Sequence, residues 1–161
     1  MRYYVTADVH GYFSELKDAL TAQGFFDDQS PHKLIVCGDL YDRGTEALQL
    51  QTFILELLDR DQVILIRGNH EDLTMNLLNN WHRRSYLQTH HHTNGTIDTL
   101  CQLTGISIRD IYTDAENVGR SILKDPYIQK IIPAMSEDIV IGFVIVHHRW
   151  NDLLYVRVFQ N

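Results

Sequence analysis

Three short segments carry most of the chemistry available to this chain: Asp8-Val9-His10-Gly11, Gly38-Asp39-Leu40-Tyr41-Asp42-Arg43-Gly44 and Gly68-Asn69-His70-Glu71. Asp8 and His10 are two residues apart, so on an extended segment their side chains face the same way. A carboxylate oxygen and an imidazole nitrogen on one face can hold a single hard or borderline cation, and Gly11 leaves room for backbone beside it. Asp39 follows a glycine, and its two oxygens can bridge two metals roughly 3.5–4 Å apart. Asn69 offers a neutral carbonyl oxygen to the second metal. Such a pair lowers the pKa of bound water and supplies a hydroxide nucleophile for in-line attack on phosphorus. His70 follows Asn69 and need not point at the metals; it can give a proton to the leaving alkoxide or phenoxide. Asp42 can orient that imidazole and stabilise its charged form. Arg43 and Arg67 bring forked donors suited to phosphate oxygens.

The elements that must position these groups follow from the apolar pattern. Residues 3–7, 33–37 and 63–66 are short β-branched or apolar runs, read as buried strands. A helix is expected over 15–23, with Ser14 as cap, Leu16, Ala19 and Leu20 on one face and Gly24 as terminator. A second runs from a Thr45 cap to about Leu58, and a third from Glu71 to about Asn80. The order βαβαβα implies a mainly parallel sheet with helices packed on it. Each polar segment then falls at the carboxyl end of a strand, the edge where open α/β sheets collect ligands.

Beyond Trp81 the pattern weakens. Residues 81–95 are polar and His-rich and read as a loop or lid, with His90-His91-His92 expected in a solvated loop. Residues 96–104, 107–111 and 114–131 read as helical, interrupted by Gly105 and Pro126. Residues 139–146 and 152–158 read as strands, with a hairpin around Arg149 to Asn151. Trp81 and Trp150 are expected to pack rather than stack on bases, since no basic stripe accompanies them. With no repeat, low-complexity tract or convincing linker, residues 1–161 are expected to form a single domain.

Composition narrows the classes. The 161 residues are 44% hydrophobic and 22% charged, ordinary for a globular protein. A formal net charge of −7 argues against general nucleic-acid affinity. A phosphorylated substrate is still compatible, because bound divalent metals would reverse the local field. Cys37 and Cys101, without CxxC spacing, read as buried small hydrophobes in a reducing cytoplasm. The N-terminal run is too short for a signal peptide, and no stretch approaches the ~20 apolar residues of a membrane span. The expected location is therefore cytoplasmic.

Asp8-Val9-His10-Gly11, the GDxxDRG form at residues 38–44 and the RGNHE form at residues 67–71 resemble the three signature blocks of calcineurin-like metallophosphoesterases. They are most similar to those of bacterial Ser/Thr phosphoprotein phosphatases and diadenosine tetraphosphatases. The likeness spans about residues 1–80. It implies an α/β/β/α architecture of two facing mixed β-sheets flanked by helices, and two divalent metal ions, Mn²⁺ first, with Fe or Zn²⁺ as alternatives. By the same resemblance Asp8 and His10 bind the first metal, Asp39 bridges, and Asn69 binds the second. His70 is then the general acid with Asp42 behind it, and Arg43 and Arg67 grip phosphate. The implied substrate is a phosphorylated protein or a small phosphoester; hydrolysis of dinucleoside polyphosphates is the alternative.

The pattern departs in the C-terminal part. His147, in Val144-Ile145-Val146-His147-His148-Arg149, is the candidate for a further metal ligand, but His148 and Arg149 stand where the family carries small residues. A later Gly-His motif is absent. The expectation is a shortened or divergent chain with an incomplete second sheet, whose open edge a second copy could cap in a homo-oligomer. A catalytically impaired metal-binding fragment is the competing reading from another class.

Overall fold

The computed structural model describes all residues except 85–87, 138, 142–143, 147–156 and 161, with side-chain surroundings up to residue 137. His147, Trp150 and the hairpin expected around residues 149–151 lie outside the described residues.

Strands β1 (Arg2–Ala7), β2 (His32–Cys37) and β3 (Val63–Ile66) form where the apolar runs predicted them. They pair in parallel, joined by β4 (Met135–Ser136) beyond β3 and by an antiparallel β7 (Arg157–Gln160) beside β1, in the order β4-β3-β2-β1-β7. Their register aligns the edge from which the polar loops leave. Ala7 lies opposite Cys37, and Cys37 opposite Ile66, so three strands end flush. The next residues, Asp8, Gly38 and Arg67, therefore leave the sheet side by side, although they are far apart in sequence.

Helices α1 (Phe13–Ala22) and α2 (Ala47–Asp59) cover one face of this sheet. Their Leu16, Leu20, Leu50 and Ile54 meet Tyr4, Leu34, Val36 and Leu65 in the main core. Each such side chain contributes about 1.5–3 kcal/mol by leaving water. The opposite face carries buried Ile35, Cys37 and Ile66, with Tyr3, Val5, Ala7 and Ile64 only partly buried. Helices α3 (Asn69–Asn79), α5 (Thr96–Thr104), α6 (Ile108–Thr113) and α7 (Ala115–Ile122) share a second core of Leu77, Ile97, Leu100, Ile111, Val118 and Ile122.

Several boundaries differ from the expected ones for identifiable reasons. Ser14 lies inside α1 instead of capping it, because its hydroxyl and its N–H both bond the Glu46 carboxylate, at 2.5 and 2.9 Å. Thr45 gives way to Glu46 as the residue before α2; the Glu46 N–H bonds the Gly11 carbonyl and its own carbonyl accepts from Leu50. Gly24 does end α1, at φ 77°. The 81–95 stretch is not an open loop: it holds a helical turn at Trp81–Arg83 and a short helix α4 (Thr89–Thr93) that buries His91. The break expected at Pro126 within 114–131 is present and wider than expected: α7 ends at Ile122, and helical turns resume at Tyr127–Ile131 to carry the chain to β4. The strand expected over 139–146 is two, β5 (Ile139–Ile141) and β6 (Val144–Val146), paired antiparallel as a separate two-stranded sheet. Among the described residues no helix is long and apolar enough to cross a membrane.

Candidate active site

The first two loops at the flush strand ends are bonded to each other through their backbones. The His10 N–H reaches the Asp39 carbonyl, the Gly11 N–H reaches Leu40, and the Gly44 N–H reaches the His10 carbonyl, all at 2.8–2.9 Å. Gly44 is required by this approach, since a Cβ there would sit 2.5 Å from the His10 carbonyl oxygen. Five non-glycine residues of these loops, Asp8, His10, Asp39, Asp42 and Arg43, have φ between 49° and 73°. L-residues avoid this left-handed region, at a cost of order 1–2 kcal/mol each. Their side chains are thereby turned to directions a relaxed loop would not give.

Below the loops sits Glu71, fully buried. Its carboxylate accepts the N–H groups of Asp39 (3.1 Å), Leu40 (2.9 Å) and Gly68 (2.8 Å), tying the second loop to the third. Burial pushes its pKa up to about 7, against the opposing pull of these donors. Sequence reading quoted Glu71 without a role. The glycine-to-glutamate spacing at the start of α3, three residues, is the signal that could have found it, since a helix-entry acid reaches back to free N–H groups.

The side chains converge above this knot. His10, Asp39 and His70 are all buried and bring one potential ligand atom each within 4.8 Å of the others. The His10 Nδ1–H donates to the Tyr41 carbonyl at 3.0 Å, leaving Nε2 and its lone pair toward the Asp39 carboxylate, 3.9 Å away. Burial, chiefly, lowers the His10 pKa and keeps it the neutral imidazole a metal needs. The His70 Nδ1–H donates to Asp42 Oδ2 at 2.8 Å, so its Nε2 also faces outward. Burial alone would lower the His70 pKa, but the Asp42 hydrogen bond and charge reverse this and raise it. The two rings meet edge to face, 4.7 Å between centroids. Asp39 Oδ1 accepts the His70 N–H at 3.0 Å, which seats the head of α3.

The other expected site residues are distributed around this centre. Asp8 is half-buried at the end of β1 and does not belong to the His10–Asp39–His70 cluster, and Asn69 is half-buried as the first residue of α3, directly before His70. Arg43 is exposed at the rim, and its charge acts on both imidazoles. Arg67 is half-buried and bonded to Asp72 at 2.6 Å. The His triplet is split: His90 is exposed, His92 bonds the Tyr112 hydroxyl at 3.1 Å, and His91 is wholly buried. Burial pushes the His91 pKa down to about 4, so the ring is neutral at pH 7. The His10 imidazole, its Nε2 lone pair toward Asp39, and the buried Asp39 carboxylate are donors that fit a hard or borderline divalent ion; His70 Nε2 joins them only when that nitrogen carries no proton.

Gly68 explains why this arrangement tolerates no bulk. A Cβ there would lie 2.3 Å from Asp39 Oδ1 and 2.5 Å from the Asp39 nitrogen. Gly68→Ala is expected to destabilise the fold by about 1–3 kcal/mol through overpacking, and to weaken metal binding by displacing Asp39. Urea unfolding and calorimetric metal titration of the variant check both.

The family profile of calcineurin-like phosphoesterases matches residues 1–156. The chain belongs to this family. Among curated relatives of the chain, the symmetrical bis(5'-nucleosyl)-tetraphosphatase of Buchnera aphidicola (Tuc7) is 34% identical over 71 residues, covering 44% of this chain and 24% of the relative. The Psychromonas ingrahamii enzyme of the same name is 35% identical over the same length and shares. The asymmetrical bis(5'-nucleosyl)-tetraphosphatase PrpE of Anoxybacillus flavithermus is 31% identical over 78 residues, 45% of this chain and 32% of the relative. These alignments take in only about a quarter to a third of the length of the curated relatives. A solved protein serine/threonine phosphatase from Saccharomyces cerevisiae overlays 76% of this chain and 31% of its own, at 23% identity and TM-score 0.40.

Proposed function

We propose that this calcineurin-like phosphoesterase is a divalent-metal-dependent hydrolase of phosphomonoesters, of the Ser/Thr phosphoprotein phosphatase kind. The observation that carries the reading is the buried convergence of His10, Asp39 and His70, with His70 held by Asp42. In this reading Asp8 and His10 would hold one metal, Asp39 would bridge, and Asn69 with His147 would hold the other. Mn²⁺ is the first choice, Fe or Zn²⁺ the alternatives. When bound, such ions supply Lewis-acid charge and acidify water at neutral pH.

The chain's own residues do the rest. Arg43 and Arg67 bind and orient the non-bridging phosphate oxygens, Arg67 by exchanging its bond to Asp72. Water attacks phosphorus in line with the ester oxygen and gives up one proton to solvent, the P–O ester bond breaks, and its electron pair stays on the leaving oxygen. His70 Nε2 gives that oxygen its proton, while Asp42 holds the Nδ1–H and favours the imidazolium that must be present beforehand.

A second reading is supported by the names of the relatives: hydrolysis of a dinucleoside polyphosphate. The discriminating experiment presents p-nitrophenyl phosphate, a phosphothreonine peptide and diadenosine tetraphosphate with Mn²⁺. Release of phosphate from the peptide supports the first reading. Cleavage of the dinucleotide alone supports the second, and ADP against ATP plus AMP tells symmetrical from asymmetrical attack. Metal binding without turnover of any substrate, in Mn²⁺, Fe²⁺ or Zn²⁺, would instead identify an impaired metal-binding protein.

A further inference from the structure

Helix α5 starts 54 residues after Asp42, yet it grips the loop that carries it. The Thr96 hydroxyl donates to Asp42 Oδ2 at 2.8 Å, and Thr99 Oγ1 accepts the Asp42 N–H at 3.0 Å. One turn on, the Gln102 amide donates to the Gly44 carbonyl at 3.0 Å and accepts the Ala47 N–H at 3.1 Å. Residues spaced by three lie on one helix face, so α5 presents a polar stripe to the loop. Gly95, at φ 86°, lets the head of α5 come close; a Cβ there would be 2.6 Å from the Arg43 nitrogen.

Thr96 is fully buried and shares its acceptor atom with His70. Both donors, Thr96 Oγ1 and His70 Nδ1, fall on Oδ2 at 2.8 Å, while Oδ1 has no hydrogen-bond partner among the described residues. A carboxylate that turns about its Cβ–Cγ bond can present either oxygen or neither. The hydroxyl on Oδ2 selects the orientation in which the carboxylate meets His70.

We propose that Thr96 is a positioning residue for the Asp42–His70 pair: it fixes the Asp42 carboxylate so that His70 is held in the tautomer and direction needed to protonate a leaving group. The assignment rests on the reading of His70 as proton donor. It acts through two side chains and touches no substrate.

The test compares Thr96→Ala with Thr96→Ser, which both remove the methyl group and differ only in the hydroxyl. The substrates are phenyl phosphate, whose leaving group needs a proton, and 2,4-dinitrophenyl phosphate, whose leaving group does not. Thr96→Ala should lower kcat on phenyl phosphate about tenfold with KM within about twofold, and change dinitrophenyl phosphate turnover by less than about twofold. Thr96→Ser should restore phenyl phosphate turnover. A uniform loss on both substrates, or no rescue by serine, overturns the proposal.

A second readout needs neither metal nor turnover. In the metal-free, ¹⁵N-histidine-labelled chain, the His70 Nδ1 proton, assigned with His70→Gln, should exchange slowly in wild type and Thr96→Ser and rapidly in Thr96→Ala. An unchanged signal in Thr96→Ala overturns the proposal. Absence of hydrolysis by wild type overturns the phosphoesterase reading alone, and the proton signal then still decides the positioning role.

Discussion

His70→Ala should lower turnover of an aryl phosphate by about 10²–10⁴-fold while the chain still binds its metals. The size follows from removing a general acid whose proton enters the rate-limiting bond cleavage. Its pKa, raised by the Asp42 hydrogen bond and charge against the effect of burial, keeps the imidazolium populated toward neutral pH. Selectivity for leaving group sharpens the expectation: the loss should be largest for phenyl phosphate and smallest for dinitrophenyl phosphate. Metal stoichiometry decides between two roles. The His70 ring lies close enough to His10 and Asp39 to be a ligand itself. If His70→Ala loses metal and activity together, in a titration followed by calorimetry, His70 belongs to the metal shell and not to the acid.

Glu71→Ala should cost about 3–5 kcal/mol of the ~5–15 kcal/mol that hold a domain of this kind. Three backbone N–H groups, of Asp39, Leu40 and Gly68, would lose their acceptor in a dry site. Each orphaned donor costs ~1–3 kcal/mol, and relief from burying a carboxylate returns part of the sum. Glu71→Gln should lose less than the alanine variant, because one amide oxygen can still serve Asp39 and Gly68 together at the Oε2 position. Its NH₂ would face the Leu40 N–H, two donors without an acceptor between them. Urea denaturation of both variants gives the order; equal stability of wild type and Glu71→Ala would remove the knot from the account of the fold.

The first half of the chain was legible because its signals are local. Runs such as Leu34-Ile35-Val36-Cys37 followed by Gly38-Asp39 announce a buried strand and the loop at its end, and strand bounds came out within a residue or so. His10, Asp39 and His70 lie together at the strand ends with Asp42 bonded to His70, a proximity that their place after the strands made legible. The α5 stripe was not legible. Residues 96–104 read only as helical, and the partners of Thr96, Thr99 and Gln102 at Asp42, Gly44 and Ala47 lie more than fifty residues earlier. Hydrogen bonds of that range leave no periodic trace in sequence. His91 was missed because three adjacent histidines suggest solvent, and only the packing of α4 against α5 goes with the burial of the middle one. The Ser14 cap was displaced by a tertiary competitor, the Glu46 carboxylate.

The left-handed backbone of Asp8, His10, Asp39, Asp42 and Arg43 bears on how such a chain evolves. Glycine would sit there with less backbone strain, although at Asp39 and Asp42 it would forfeit the carboxylates that accept the His70 N–H and the Thr96 hydroxyl. Stability is thus in constant tension with the identities that chemistry needs. A lineage relieved of its reaction would drift first at Asp8, His10 and Arg43, growing steadier as it lost its purpose. Side chains kept at uncomfortable angles are a record of selection that composition alone never displays.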